Sequence, residues 1–188
     1  MATVTNHIDL ERSPLQLTND GLYETVNGQR IEVPVGAKEL FIGGTILEYL
    51  RQFLRTDPRG WAVAETLFRL RDDPRLERRP DVAFVPYDRW PGPEIPETDP
   101  WPVCPALAVE VVSRSNTVDE IQAKIHEYFA HGAVLVWVVH PRQEQVHVYE
   151  SPKHIRVLDA QDTLDGGMLL PGFRVVVAKL FEGLEKPQ

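Results

Sequence analysis

The chain has 188 residues, 43% hydrophobic and 26% charged, with a formal net charge of −8, an ordinary globular balance that excludes a disordered or fibrous protein. Its single cysteine, Cys104, excludes an internal disulfide and a cysteine zinc cage and points to a reducing compartment. No run approaches the ~20 apolar residues that span a bilayer, and Met1 to Arg12 is charged with no apolar block, so a cytoplasmic protein without a signal peptide is expected.

The acidity argues against tight nucleic-acid storage, because phosphate neutralisation supplies most of the affinity in such proteins. A local patch remains compatible with it. Arg69, Arg71, Arg75, Arg78 and Arg79 crowd one short region, which reads either as such a patch or as a solvated loop.

Residues 1–20 are polar and read as an extended N-terminal arm, leaving 21–188 as one domain. Leu22 to Val26 and Arg30 to Val35 form a hairpin about Asn27-Gly28, closed by Pro34 and Gly36. From Lys38, the spacing of Leu40, Ile46, Leu47, Leu50, Phe53 and Leu54 predicts a helix ending before Asp57-Pro58. Gly43 and Gly44 each weaken it by roughly 1 kcal/mol relative to alanine, a cost that close approach of another element would explain.

Trp61 to Ala64, Glu65 to Leu70 and the run Pro80 to Pro86 are strand candidates. Tyr87 to Pro105 is proline-rich and reads as a surface loop acting as a functional flap. Its Trp90 and Trp101 either stack on bases or pin the loop to the core. Ala106 to Val112 is a central strand, and Ser115 or Asn116 caps a helix running to about His131, with Thr117 and Glu120 at capping-box spacing and Gly132 ending it. Val134 to Val139, Gln145 to Glu150, Ile155 to Leu158 and Phe173 to Val177 complete the strands, followed by a helical turn. The order predicts an α/β protein of the α+β kind, a central mixed sheet flanked by helices. Ala106 to Val139 should form a right-handed parallel crossover.

Glu110 is the strongest chemical signal: it stands alone among alanine, leucine and valine, where an unpaired carboxylate costs several kcal/mol. Strand alternation puts it on one face with Ala106, Ala108 and Val112. A buried structural ion pair is the bland alternative. Asp81 opens a strand after Pro80, and two carboxylates from neighbouring strands are the expected ligands of Mg²⁺. Lys124 borders the stripe formed by Val118, Ile121, Ile125, Tyr128 and Phe129; it either snorkels to water or reaches back to Glu110. His140 and His147 meet across a hairpin but lack a third ligand for zinc, and His126 and His131 point to different helix faces.

Pro80-Asp81-Val82, Val109-Glu110-Val111-Val112-Ser113, Lys124-x₃-Tyr128-x₃-Gly132, Val136-Trp137-Val138-Val139 with Pro141, Leu170-Pro171-Gly172-Phe173 and the Tyr23-Glu24 to Asn27-Gly28 hairpin together resemble the Uma family of restriction endonucleases, within the PD-(D/E)XK nuclease superfamily. The resemblance spans nearly the whole chain. It implies a restriction-endonuclease-like core with Asp81 and Glu110 as the acids. The superfamily's usual lysine position is Val112 here, and the resemblance implies that Lys124 replaces it from the following helix. The histidine that often starts the first long helix is absent, Glu39-Leu40-Phe41 standing there; Glu39 or Glu48 would be a further acid. The implied function is a Mg²⁺-dependent endodeoxyribonuclease, with Mn²⁺ as the substitute metal, Asp81, Glu110 and the Val111 carbonyl as metal ligands, and Lys124 acting on the phosphate. Ser113, Ser115 and Asn116 would contact phosphates or serve as caps alone. DNA is the expected partner, and double-strand cleavage would suit a homodimer. The alternatives are a catalytically weak nuclease-fold module that binds DNA or protein, and a hydrolase of small phosphate compounds.

Overall fold

The computed structural model describes residues 21–33, 36–70 and 73–185. The expected arm at 1–20, Pro34 and Arg71 lie outside the described residues. Asn27 and Gly28 take φ of 52° and 79°, the left-handed pair that a two-residue hairpin turn requires, and join β1 (Tyr23–Val26) to β2 (Gln29–Glu32). The other edge of β1 meets β5 (Glu77–Arg78), itself paired with β4 (Phe68–Arg69), giving a small sheet in the order β2-β1-β5-β4.

The main sheet has six strands in the order β10-β9-β8-β7-β6-β3. They are β3 (Gly60–Ala64), β6 (Val82–Pro86), β7 (Leu107–Val111), β8 (Leu135–His140), β9 (Gln145–Ser151) and β10 (His154–Leu158). Only β7 and β8 pair in parallel, and the helix α2 (Val118–Ala130) connects them. The mixed sheet and its flanking helices are those the sequence predicts.

Alternation along β7 divides the core in two. Val109 and Val111 join Trp137, Val139 and the buried stripe Ile42, Ile46, Leu50 and Leu54 of α1 (Ala37–Thr56). Ala108 faces the opposite way, with Val136, Val138 and the α2 residues Ile121, Ile125 and Tyr128. Each fully buried leucine or isoleucine in these layers contributes roughly 1.5–3 kcal/mol. A ribbon of β11 (Thr163–Gly166) and β12 (Leu170–Val176) extends the first layer, Phe173 lying 5.7 Å from Trp137 and 5.8 Å from Phe53 between ring centres. β11 escapes sequence reading because Leu164 is its only large apolar residue.

The two glycines of α1 differ in surroundings, Gly43 packing against β6 with room for a methyl in ordinary contact and Gly44 facing open space. A methyl group on Gly43 would sit 3.7 Å from both Asp81 Cβ and Val82 Cγ2, whereas one on Gly44 would meet nothing within 4 Å. Gly44→Ala is therefore expected to stabilise the protein by roughly 0.5–1 kcal/mol through helix propensity alone. A urea titration checks this; an unchanged or lower midpoint would mean that the Gly44 position is covered in solution.

Other expectations are corrected. Glu65 adopts φ 48°, so the strand expected from Glu65 to Leu70 shrinks to Phe68–Arg69. Val118 is 77% exposed, because it occupies the first helical position, before the buried stripe begins. The proline-rich segment lies at the surface from Tyr87 to Pro100, but its end does not: Trp101 is fully buried and stacks on Phe68 at 5.6 Å, pinning the loop to the core, and Val103 and Cys104 follow it.

Candidate active site

Asp81 immediately precedes β6, whose Val82 pairs with Val109 of β7, so the antiparallel register carries Asp81 to the C-terminal end of β7. There its Oδ2 accepts a 2.5 Å hydrogen bond from the Val111 N–H. Glu110, one residue earlier, points to the α2 side and is 5% exposed. Its Oε2 accepts from Lys124 Nζ at 2.9 Å and its Oε1 from the Tyr128 hydroxyl at 2.7 Å. Lys124 and Tyr128 are four residues apart, which stacks them one turn apart on a single face of α2. The Thr117–Glu120 capping box sets where that helix begins, with reciprocal bonds of 3.2 and 2.8 Å. Thr117, rather than Ser115 or Asn116, is the cap.

Lys124 has a second acid. Its Nζ lies 2.8 Å from Glu24 Oε1, and Glu24 Oε2 accepts from Arg78 Nη1 at 2.7 Å. Arg78 also contacts Glu127 of α2 at 2.6 Å, and the Arg79 backbone N–H donates to Glu24 at 3.1 Å. A buried chain of alternating charge thus ties the β1–β2 hairpin, β5 and α2 to the end of β7. Lys124 and Arg78 each bridge two acids, so removing either cation takes a partner from two carboxylates at once, which is where the cost of such networks lies.

The described arginines of the cluster divide between interior and surface, Arg75 being exposed and Arg71 lying outside the described residues. Arg78 and Arg79 are buried, Arg69 pairs with Glu77 and Arg75 with Asp73. Glu24 is the principal site residue that sequence reasoning missed. It lies in a polar strand where an acid ordinarily faces water, and its only signal was two adjacent arginines in need of partners. Glu65 was missed as well.

Burial raises the Glu110 carboxyl above its ordinary range, against the pull of Lys124. Burial lifts Asp81 well above its usual value, and the nearby Glu110 and Glu65 add to it. Glu65 is raised by burial and by Glu110 despite Arg79. Burial would lift Glu24 too, but Lys124 and Arg78 draw it down instead. Burial disfavours the Lys124 ammonium, yet Glu110 and Glu24 outweigh it and hold the proton more firmly than in a free lysine. Tyr128 stays a neutral donor, raised by burial and by Glu110.

No three His, Cys, Asp or Glu side chains form a ready cage among the described residues. The acids nevertheless fit a hard divalent cation. Asp81 and Glu110 bring carboxylate oxygens to the same end of β7, the hard donors that Mg²⁺ takes, and a cation there would offset the burial and mutual repulsion that disfavour their charge. The second oxygen of Asp81 has no hydrogen-bond donor among the described residues. Of the other candidates, Glu48 is exposed on α1 and Glu39 lines a neighbouring groove. Ser113 and Asn116 close on each other at 2.8 and 2.9 Å, with Ser115 beside them. His140 and His147 do meet, rings 4.1 Å apart, and burial lowers both.

The sequence matches the family model described as "Uma2: Putative restriction endonuclease" over residues 9–178. The chain belongs to the Uma2 family. No protein of curated function matches it. Among solved structures, a crystal structure titled as a putative nuclease belonging to DUF820 from Anabaena variabilis ATCC 29413 superposes with a TM-score of 0.72 at 17% identity, covering 85% of this chain and 89% of that one. At that identity the likeness establishes the fold. In this Uma2 chain the resemblance's Asp81, Glu110 and Lys124 come together at one end of the central sheet, as do Glu24 and Tyr128 from its hairpin and helix motifs.

Proposed function

We propose that the protein is a metal-dependent endodeoxyribonuclease. The observation that carries this reading is the convergence of Asp81, Glu110 and Lys124 from three separate elements at the C-terminal end of β7, with Asp81 tied to Val111 and Lys124 to Glu110. Asp81, Glu110 and the Val111 carbonyl would hold Mg²⁺ or Mn²⁺, which when bound supplies Lewis-acid charge at the scissile phosphate.

The chain's own residues do the rest. The Val111 N–H fixes the Asp81 carboxylate at the strand end. Glu24 and Glu110 keep Lys124 protonated and immobile. An ammonium has three N–H bonds; two are spent on these acids, leaving one for a phosphate oxygen as negative charge develops there. Such preorganised donors are typically worth about 10²- to 10³-fold in rate. Tyr128 orients Glu110 without competing for its proton.

One observation favours the second reading, a binding module without turnover: both Glu110 oxygens already have donors. A substrate panel separates the readings. Supercoiled, linear and single-stranded DNA are incubated with Mg²⁺ or Mn²⁺ beside mononucleotides. The nuclease reading expects metal-dependent strand breaks in DNA; turnover of nucleotides alone would make it a small-phosphate hydrolase, and DNA binding without breaks would make it a module.

A further inference from the structure

Most basic side chains in this acidic protein are already committed to carboxylates, carbonyls or rings. Among the described residues, Lys38, Arg55, Arg114, Arg142, Lys153 and Arg174 have no side-chain partner. Three of these six, Lys38, Arg114 and Arg142, line one groove of about 320 Å³. The Lys38 end comes from the first turn of α1, Arg114 from the segment after β7, and Arg142 from the β8–β9 turn. Convergence of three unneutralised cations from three elements is notable where net charge is −8. Glu39 is the one carboxylate in the lining, and His140 is held toward its neutral form by burial and by His147.

Position gives the groove its meaning. Val112 and Ser113 line it and directly follow Val111, so it opens beside the candidate metal site. Asn116 belongs both to this groove and to a second one between the hairpin and α2. The second groove carries Glu32, Asp119, Glu120 and Glu127 beyond the paired Glu24, Lys124 and Arg78. A polyanion at the site is therefore repelled on the hairpin side and attracted on the β8–β9 side, a bias that added salt screens.

We propose that Lys38, Arg114 and Arg142 form a subsite for the backbone phosphates of DNA flanking the scissile bond. The inference rests on the nuclease reading for its substrate. The three side chains are exposed and otherwise unbonded, so they can be removed without disturbing the fold.

The test is binding of a fluorescein-labelled DNA duplex in EDTA, followed by anisotropy across a salt series. Lys38→Ala/Arg114→Ala/Arg142→Ala is compared with wild type and with Arg55→Ala/Lys153→Ala/Arg174→Ala. Each phosphate contact contributes ~0.9 to the slope of log affinity against log salt, so the groove variant should lose roughly 2.7 and bind about 10- to 100-fold more weakly at moderate salt. The control variant should keep the wild-type slope. Equal losses in both variants, no loss in the groove variant, or no duplex binding by wild type would each overturn the subsite. The two proposals fail separately. Intact binding with no cleavage under any metal ends the nuclease reading, whereas intact binding and cleavage in the groove variant end only the subsite.

Discussion

Lys124→Met is expected to cost the fold about 3–5 kcal/mol and metal-dependent cleavage roughly 10²- to 10³-fold, and the two losses should come apart. The stability loss arises because Lys124 Nζ lies within 2.9 Å of two buried carboxylates, Glu24 and Glu110. Without the ammonium, Glu110 keeps only the Tyr128 hydroxyl and Glu24 only Arg78 and the Arg79 N–H. Adding Glu24→Gln removes one of the stranded charges while preserving its shape, so the double variant should recover much of the stability. It should recover none of the cleavage, because no group remains to donate to the phosphate. Denaturant midpoints of the single and double variants measure the first effect and single-turnover cleavage the second. Full activity in the double variant would show that Lys124 serves only the fold.

Asp81→Asn is expected to remove the Asp81 share of the pH dependence of stability and abolish its response to Mg²⁺. Burial, Glu110 and Glu65 raise the folded-state pKa of Asp81, whereas the unfolded chain releases that proton near the ordinary value of about 3.9. Between those two values the folded state binds more protons than the unfolded one, so stability falls as pH rises. The loss is complete above the folded pKa and absent below the unfolded one. One whole proton gives a slope of at most ~1.4 kcal/mol per pH unit. Glu65 and Glu110, also raised, add in the same direction, and Glu24, which is lowered, opposes them. Mg²⁺ favours the ionised acid and should offset the decline increasingly toward higher pH. Thermal melts from acid to neutral pH, with and without the metal, read both effects. A metal response that survives in Asp81→Asn would place the cation elsewhere.

These predictions rest on residues of unequal visibility in the sequence. Glu110 was legible because a lone acid in an apolar strand violates the pattern around it, whereas helical spacing placed Lys124 only at the border of the buried stripe, where both water and Glu110 were within reach. The β7–α2–β8 unit was legible from its long apolar runs and helical spacing, with only the cap misplaced, at Ser115 or Asn116 instead of Thr117. Glu24 was not, because its strand is short and polar and its partners, Lys124 and Arg78, lie 100 and 54 positions away. The arginine run shows the same limit from the other side. Local crowding of charge says nothing about distant acids, and Arg78 proved to be interior. The proline-rich segment was legible as a surface loop, but which role Trp101 takes was not, because its burial follows from Phe68 and Trp61, which sequence order does not bring near it.

The most direct test of the central claim is nicking of supercoiled plasmid in Mg²⁺ or Mn²⁺ by wild type beside Glu110→Ala, with both shown folded by thermal melts. Glu110→Ala keeps Lys124 paired to Glu24, so the fold should survive. The account predicts nicking by wild type that EDTA stops and that Glu110→Ala lacks. Nicking of equal rate in the two proteins would contradict it, since the chemistry would then lie outside the β7 site.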